Sequence, residues 1–470
     1  MRLPDSFKER MRSVLGDEYD QFIASFDKPS LKGVRLSTSK LSPEDYEDTA
    51  KILDPEATRV PWTSCGFYIT NDTSGKDPYY HAGVYYPQEP SAMLPAEVIN
   101  AKPGEIILDL CAAPGGKACR IGDDLKGEGL LVANEINAER SKALNRNIER
   151  TGITNCIILN EDPDSIASRL PGFFDKILID APCSGEGMFR RDPRAVKSWE
   201  DYGPDQISRI QYDILCAASK MLRKGGEIVY STCTFAEIED EQMISRFIES
   251  HPVFEIVSHP EIEGITHNPD GSMRIWPHKA EGDGHFCVHL KDNSGDTVDN
   301  SSNEGFAKYS SIVKKSSDAM IQCYKEILTE EAINDLKDQC EQRLVMRGEG
   351  MYLMPCDPRL LNGLKVVKSG LFLGEIKMTK YKRIFDPSNS FPLTLSRTQI
   401  REDSFISYNR DDEGLIRYLK GETIAIPDEL AGKIKDKGLV VIAVDGFVLG
   451  LGKIQGTMIK NMYPKAWRLL

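Results

Sequence analysis

The sequence predicts an α/β protein with a doubly wound parallel sheet at its centre. Three observations carry that prediction. Between Pro103 and about Leu290 five continuous apolar runs recur: Ile106-Ile107-Leu108, Leu130-Leu131-Val132, Cys156-Ile157-Ile158-Leu159, Ile177-Leu178-Ile179 and Ile228-Val229-Tyr230. Uninterrupted runs, unlike alternating ones, belong to strands buried on both faces. The segments between them have helix length and a polar periodicity, and strands alternating with helices build a parallel sheet covered on both sides. Finally, 470 residues exceed what one core serves, so about three domains are expected.

Before this centre, residues 1–95 read as a small α+β accessory domain. Phe7, Met11, Val14 and Leu15 share one helical face, and aromatics and turns follow through Trp62, Phe67, Tyr79, Tyr80, Tyr85 and Tyr86. The aromatics suit base stacking or plain packing, the commoner use of Tyr beside Pro. The central domain spans 96–291. Residues 292–309, rich in Ser, Asn, Asp and Gly, cannot bury a core and read as a linker. Beyond it lies a basic α+β domain, 310–395, with one helical segment from about Ser317 to Arg343. The last unit, 396–470, ends in two apolar runs around Asp445-Gly446, a β-hairpin of a small barrel.

Composition bounds the function. With 40% hydrophobic and 28% charged residues the chain is ordinary soluble protein. No apolar run approaches the ~20 residues of a membrane span. Met1 to Arg10 lacks an apolar signal core, so a cytoplasmic protein is expected. Eleven cysteines without a Cys-x-x-Cys pair fit reduced thiols. A net charge of −13 speaks against nucleic acid as a bulk number, but its distribution is uneven. From Asp357 to Glu402, Arg359, Lys365, Lys368, Lys377, Lys380, Lys382, Arg383, Arg397 and Arg401 outnumber the acids by five, and Lys453, Lys460, Lys465 and Arg468 follow. A solvated positive face is the plain alternative.

Two cysteines stand where chemistry is expected. Each follows a buried strand, Cys183 in Asp180-Ala181-Pro182-Cys183-Ser184-Gly185 and Cys233 in Ser231-Thr232-Cys233-Thr234. Ligands of open α/β sheets bind beyond the carboxyl ends of the strands, so both thiols would face one crevice if the strands are neighbours. Covalent chemistry is one reading, and a core role for each cysteine is the other. The first strand runs into Cys111-Ala112-Ala113-Pro114-Gly115-Gly116-Lys117, a loop whose small residues let a ligand approach the backbone at a helix N-terminus. It matches neither a dinucleotide nor a phosphate-loop pattern, which argues against hydride and phosphoryl transfer. Glu135 closes the second strand, where a carboxylate can bind a ribose diol or simply cap a helix. His285, Cys287 and His289 share a strand face, too few ligands for a metal, and no metal is expected. Phe189-Arg190-Arg191-Asp192-Pro193-Arg194 could hold phosphates beside the target.

Taken in order and spacing, the three motifs around Cys111, Cys183 and Cys233 resemble the Nol/Nop/Sun family of S-adenosylmethionine-dependent RNA 5-methylcytosine methyltransferases, over roughly residues 1–291. The tail, with Asp445-Gly446 and Gly450-Leu451-Gly452-Lys453, is similar to the PUA RNA-binding module of one bacterial branch. The resemblance implies a Rossmann-like methyltransferase core and C-terminal domains that end in a PUA-like barrel. It implies S-adenosylmethionine held by Cys111, Ala112, Ala113, Pro114, Gly115, Gly116, Lys117, Glu135, Asp162 and Asp180. The implied substrate is 16S ribosomal RNA near the decoding region, free or within the small subunit, and a monomer without membrane or metal is expected. Transfer RNA as substrate, or a non-catalytic ribosome assembly factor, are the alternatives.

Carbon 5 of cytosine is a poor nucleophile until a thiolate adds to carbon 6, the assistance a cysteine gives best. The resemblance assigns that addition to Cys233. A second group must then remove the carbon 5 proton, and Cys183 is placed for it. Asp180 would hold the base edge near nitrogen 3 and favour its protonation. Lys117 would add positive charge there, or cap the loop.

Overall fold

The computed structural model describes residues 3–30, 32–71, 75–295, 311–378, 383–430 and 432–469. At its centre is a ten-stranded sheet. In chain order its elements are β1 (Ile106–Asp109), α1 (Gly116–Leu125), β2 (Leu130–Asn134), α2 (Ala138–Thr151), β3 (Cys156–Leu159), α3 (Pro163–Arg169), β4 (Phe174–Asp180), α4 (Pro193–Met221), β5 (Leu222–Thr232), α5 (Glu241–Ser250), β6 (Phe254–Ile256), β7 (Thr266–His267), β8 (Met273–Ile275), β9 (His285–Asp292) and β10 (Val366–Ser369). The strands lie in the order β7-β8-β9-β5-β4-β1-β2-β3-β10, with β6 paired to β9. Strands β1 to β5 are mutually parallel, and β9 returns antiparallel beside β5.

The continuous apolar runs have the expected cause. Leu108, Val132, Ile157, Ile177 and Ile228 pack into a core on one face, and Ile107, Leu131, Ile158, Leu178 and Val229 into a core on the other. Successive side chains point to opposite faces, so a run without a polar gap is a strand with no wet side.

Strand β10 comes from the segment expected to form a separate basic domain. Val366 sits opposite Leu159, Lys368 opposite Ile158 and Ser369 opposite Ile157, antiparallel to β3. Backbone bonds extend the join, Asn160 N–H to Lys365 C=O at 2.9 Å and Gly370 N–H to Cys156 C=O at 3.1 Å. Met354, Cys356 and Leu361 bury themselves in the same core as Ile157, Leu159 and Ile166.

The single helix expected from Ser317 to Arg343 is two, Ser311–Tyr324 and Glu330–Arg343. Thr329 ends the continuity, because its side chain caps the second helix by accepting from the Ala332 N–H at 3.3 Å. A four-stranded sheet follows, Leu344–Arg347, Gly350–Leu353, Leu371–Met378 and Arg383–Pro387. The expected linker lies mostly outside the described residues, as do Lys380 and Lys382.

The C-terminal unit is a curled five-stranded sheet around the hairpin Lys437–Val444 and Phe447–Gln455. Asp445 and Gly446 both take positive φ, 45° and 89°, as a two-residue hairpin turn requires. This unit shares one core with the N-terminal domain: Val34 and Tyr85 belong to the same cluster as Tyr418, Ile442 and Tyr463. Tyr79 Oη donates to Asp445 Oδ2 at 3.0 Å and Arg410 Nε to Asp77 Oδ1 at 3.0 Å. Tyr79 and Tyr85 are therefore buried packing residues. The first helix, Asp5–Leu15, lays Phe7 and Met11 against Phe189, Phe235 and Trp276 of the central domain.

Candidate active site

Strands β4 and β5 are parallel neighbours in which Asp180 faces Ser231. The two loops that leave them consequently start side by side. Cys183 Sγ and Cys233 Sγ stand 3.2 Å apart, and the Cys233 N–H points at Cys183 Sγ at 3.4 Å. Gly185 turns the first loop with φ of 72°. At Gly187 a Cβ would lie 2.8 Å from Asp283 O and 3.0 Å from Cys233 O, so only glycine lets the loops close on each other.

Beneath the thiols a buried polar cluster fixes both loops. Glu239 Oε2 accepts from the Ser184 N–H at 2.9 Å and from Gln211 Nε2 at 2.9 Å, and the Ser184 hydroxyl bonds Oε1. Gln211 also donates to Pro182 O at 2.9 Å, and Ser184 Oγ lies 2.8 Å from Thr234 Oγ1. Burial pushes Glu239 up to about 7, against the pull of these donors. Glu186 fixes the loops from the other side: it accepts from the Phe235 N–H at 3.0 Å and Trp199 Nε1 at 2.8 Å, and pairs with Arg10 of the first helix.

Asp180 connects the thiols to the first loop. Lys117 Nζ is 2.8 Å from its Oδ2, and the Ser231 hydroxyl donates to Oδ1 at 3.0 Å. Lys117 is 9% exposed and Asp180 34%, open to the crevice. Burial alone would raise Asp180, but the Lys117 charge and the nearby His285 outweigh it and hold the carboxyl well below the usual carboxylate range. At Cys183 the contact with the Cys233 sulfur, then burial, drive the thiol well above its ordinary value.

The loop Cys111 to Lys117 leaves β1 next to β4 and enters α1 at Gly116. Arg140 Nη2 and Asn147 Nδ2 hold its carbonyls at Ala113 and Pro114, at 2.6 and 2.7 Å, and the Ala112 N–H bonds Asn134 O at 2.8 Å. Gly115 takes φ of 115°. A Cβ at Gly116 would sit 3.1 Å from the Tyr86 ring, so the N-terminal domain closes over the loop. Glu135 follows β2, buried, accepting from the Asn137 N–H at 2.8 Å and 3.4 Å from Arg140 Nη1. Asp162 follows β3 and caps α3, accepting from the Ser165 N–H at 2.9 Å. Asp162, Glu135, the loop, Asp180 with Cys183, and Cys233 thus stand in that order along the carboxyl edge of β3-β2-β1-β4-β5.

Three side chains here went unassigned from sequence. Asp109, the last residue of β1, is fully buried with no hydrogen-bond partner on either oxygen, and burial with Asp180 nearby raises it to about 8. Glu239 is the second. His285 opens β9, which runs antiparallel to β5, so its first residue lands on the same edge, with Nε2 3.6 Å from Asp180 Oδ1. Alternation along the strand was the signal that put His285 on a face with Cys287 and His289. Those two histidines are separated by about 13 Å of strand, too far for one metal ion. Among the described residues no group of three or more His, Cys, Asp or Glu side chains is arranged for a metal.

The basic features look different in space. Arg190 and Arg191 both pair with the buried Asp283, which also accepts from Ser30 Oγ, so they lock the loop after Cys183 rather than face a phosphate. Arg194 is exposed beside Asp192 at 2.8 Å. Across the basic stretch Arg359 meets Asp357 at 2.7 Å, Lys368 Glu149 at 3.3 Å, Lys377 Asp386 at 3.0 Å and Arg401 Asp403 at 2.8 Å. Among the described residues no helix is long and apolar enough to cross a membrane.

Comparison with known proteins follows this geometry. A family model for the 16S rRNA methyltransferase RsmB/F matches residues 96–291. Models for the N-terminal domain of 16S rRNA methyltransferase RsmF, the RsmF rRNA methyltransferase first C-terminal domain and the methyltransferase RsmF PUA domain match residues 3–90, 330–395 and 405–469. Ribosomal RNA small subunit methyltransferase F of Vibrio parahaemolyticus is 29% identical over 98% of this chain and 97% of its own length. Its namesake from Vibrio vulnificus is also 29% identical, over 98% and 97%. The crystal structure of a methyltransferase homologue from Pyrococcus horikoshii is 27% identical with a TM-score of 0.53, covering 62% of this chain and 95% of that one. NSun6 from the same organism, solved with SFG, has a TM-score of 0.53 over 62% and 99% of the two chains, and at 21% identity speaks for the fold alone. Four models that follow one another from residue 3 to residue 469, with relatives aligned end to end, leave one conclusion: the chain belongs to the 16S rRNA methyltransferase RsmF family.

Proposed function

We propose that this protein is an S-adenosylmethionine-dependent methyltransferase that forms 5-methylcytosine in 16S ribosomal RNA, near the decoding region of the small subunit, through a covalent adduct with Cys233. The observation that carries the reading is the 3.2 Å contact of Cys183 and Cys233 beside the Lys117–Asp180 pair. A cytoplasmic monomer is part of the same proposal.

The crevice fits the cofactor. Its edge is acidic, with Glu135, Asp162 and Asp180, which suits a molecule carrying a sulfonium and an ammonium group. The unpartnered Asp109 carboxyl under the loop is the clearest mark of that fit. When bound, S-adenosylmethionine supplies an electrophilic methyl group. On the protein side the small residues Cys111 to Gly116 admit it to the backbone, Glu135 accepts from a ribose diol, and Asp162 and Asp180 flank it.

The thiols divide the work. Contact with the Cys233 sulfur and burial hold the proton on Cys183, and Cys233 is the thiol that adds to carbon 6. The electron pair of the carbon 5–carbon 6 double bond moves toward nitrogen 3, where Asp180 holds the base edge, and carbon 5 becomes nucleophilic. Once Cys233 is a thioether it carries no charge, and the largest cause of the raised Cys183 value is gone. Cys183 can then lose its proton to solvent water, take the one on carbon 5 and so regain its thiol, and Cys233 leaves as a thiolate.

Bisulfite sequencing of 16S ribosomal RNA from a strain lacking the gene tests the function. At least one cytosine methylated in the parent should read as unmodified and regain methylation on complementation. No difference between the strains, or a loss confined to transfer RNA, would sink the ribosomal assignment.

A further inference from the structure

The catalytic account leaves one proton without a source. As Cys233 adds to carbon 6, nitrogen 3 receives an electron pair and must take a proton. Asp180, held ionised by Lys117, has none to give. Lys117 is committed to Asp180 at 2.8 Å, and its proton is held more firmly for it. One buried titratable group on this edge is unused. His285 is 2% exposed, neither ring nitrogen has a hydrogen-bond partner, and Nε2 points at Asp180 Oδ1 from 3.6 Å. A buried imidazole left unsatisfied on both nitrogens is costly in a folded core, and such groups gather where a ligand or a proton completes them. The register adds a second placement: the last ladder pair of β9 and β5 is Phe286 with Thr232, so the next residues out are His285 and Cys233.

We propose that His285 is the proton relay for the pyrimidine edge, acting through Asp180. The proposal rests on the cytosine 5-methylation above. In the addition step the Cys233 thiolate forms the sulfur–carbon 6 bond. The carbon 5–carbon 6 π pair becomes a carbon 4–carbon 5 π bond, and the carbon 4–nitrogen 3 π pair goes to nitrogen 3. The imidazolium of His285 gives its Nε2 proton to Asp180 Oδ1, and the carboxyl so formed passes that proton on to nitrogen 3, so the carboxylate is restored and the imidazole is left neutral. After carbon 5 has been methylated, Cys183 has removed its proton and Cys233 has left, the nitrogen 3 proton returns by the same path and recharges His285. His285 is in this sense a positioning residue: it sets the protonation that Asp180 presents, without touching the base.

The groups that face His285 come from every element packed against it. From β4 comes Asp180, from α1 Lys117 behind it, and from β5 Cys233 and the neutral Ser231. Asp109 at the end of β1 adds a further acid to the cluster. On β8 the paired residue is Ile275, which brings no charge. Asp283, two residues upstream, is neutralised by Arg190 and Arg191.

The experiment measures how fast the covalent adduct forms on small-subunit ribosomal RNA transcripts containing 5-fluorocytosine. A fluorine on carbon 5 cannot be removed by a base, so the adduct persists and is counted on a denaturing gel under single-turnover conditions. The unsubstituted enzyme should give a bell-shaped rate against pH, with a falling limb that belongs to the relay. His285→Gln and His285→Asn should bind S-adenosylmethionine with unchanged affinity by calorimetry, form adduct about 100-fold more slowly at the optimum, and keep only the rising limb. A uniformly slower rate with the bell intact, or an unchanged rate, overturns the relay. If neither variant binds cofactor, the unsubstituted enzyme decides alone, since a rate that climbs with pH and never descends also overturns it. Absence of any adduct or methylation with the unsubstituted enzyme refutes the function itself and the relay with it.

Discussion

A chain that stops at Asp292, after the last strand of the central domain's own sequence, should fail to fold as a stable unit. The stop removes β10, and with it the Asn160 N–H to Lys365 and Gly370 N–H to Cys156 bonds, and the Lys365 N–H that donates to Glu161 Oε1 at 2.7 Å. Three hydrogen bonds at about 1 kcal/mol each come to roughly 3 kcal/mol. Met354 and Leu361, 0% and 4% exposed, also leave the core over Ile157 and Ile166, about 1.5 to 3 kcal/mol each. The loss of about 6 to 9 kcal/mol is of the size of a whole domain's stability, about 5 to 15 kcal/mol. Glu161 neighbours Asp162, so the cofactor edge loosens with the fold. Thermal unfolding by circular dichroism, with calorimetric titration of S-adenosylmethionine, gives the readout: no cooperative transition and no measurable affinity. A truncated chain that melts cooperatively and binds cofactor as the full chain does would refute the reasoning.

Further outcomes are expected at single residues. Cys233→Ala should abolish methylation and release RNA freely, whereas Cys183→Ala should stay covalently bound to methylated RNA as a shifted, cofactor-dependent band on a denaturing gel; a band with Cys233→Ala instead would reverse the roles. Glu135→Ala should weaken S-adenosylmethionine binding by about 1 to 3 kcal/mol with RNA affinity near normal, and equal affinity in calorimetry removes Glu135 from the site. Glu239 is raised from an ordinary 4.5 to about 7, so the folded state binds more protons than the unfolded one between those values, and stability should fall by roughly 3 kcal/mol as pH climbs through that window. Glu239→Gln, which can keep the Ser184 contacts, should lose that slope in denaturant titrations across pH, and an identical slope would mean another group is responsible.

How much of this was legible in the sequence depends on whether the cause was local. The strands β1 to β5 announced themselves because burial on two faces leaves no polar position in the run. Cys183 and Cys233 were readable as a pair because each follows such a run directly, and parallel neighbours end on one edge. Strand β10 was not readable, since Val366–Ser369 is four residues long and its partner lies some two hundred residues upstream. The break between the helices at Thr329 was present as a cap signal but hidden inside one apolar periodicity. The basic stretch misled in the other direction: a count of charges does not show that Lys368 turns inward to Glu149 or that Arg190 and Arg191 converge on Asp283. His285 was seen as part of a strand face, and its place opposite Cys233 needed the antiparallel register.

The core shared by the first and last domains sets a timetable for synthesis. Val34 and Tyr85 are translated early, yet they pack in one cluster with Tyr418, Ile442 and Tyr463, and Asp77 waits for Arg410. At about 5 to 20 residues per second the two halves of that core reach the solvent on the order of tens of seconds apart. During that interval the N-terminal domain presents an unfinished apolar face just outside the ribosome making it. That face closes only when the final sixty residues arrive. A stop codon or stalled ribosome in the last unit therefore leaves that face of the N-terminal domain open.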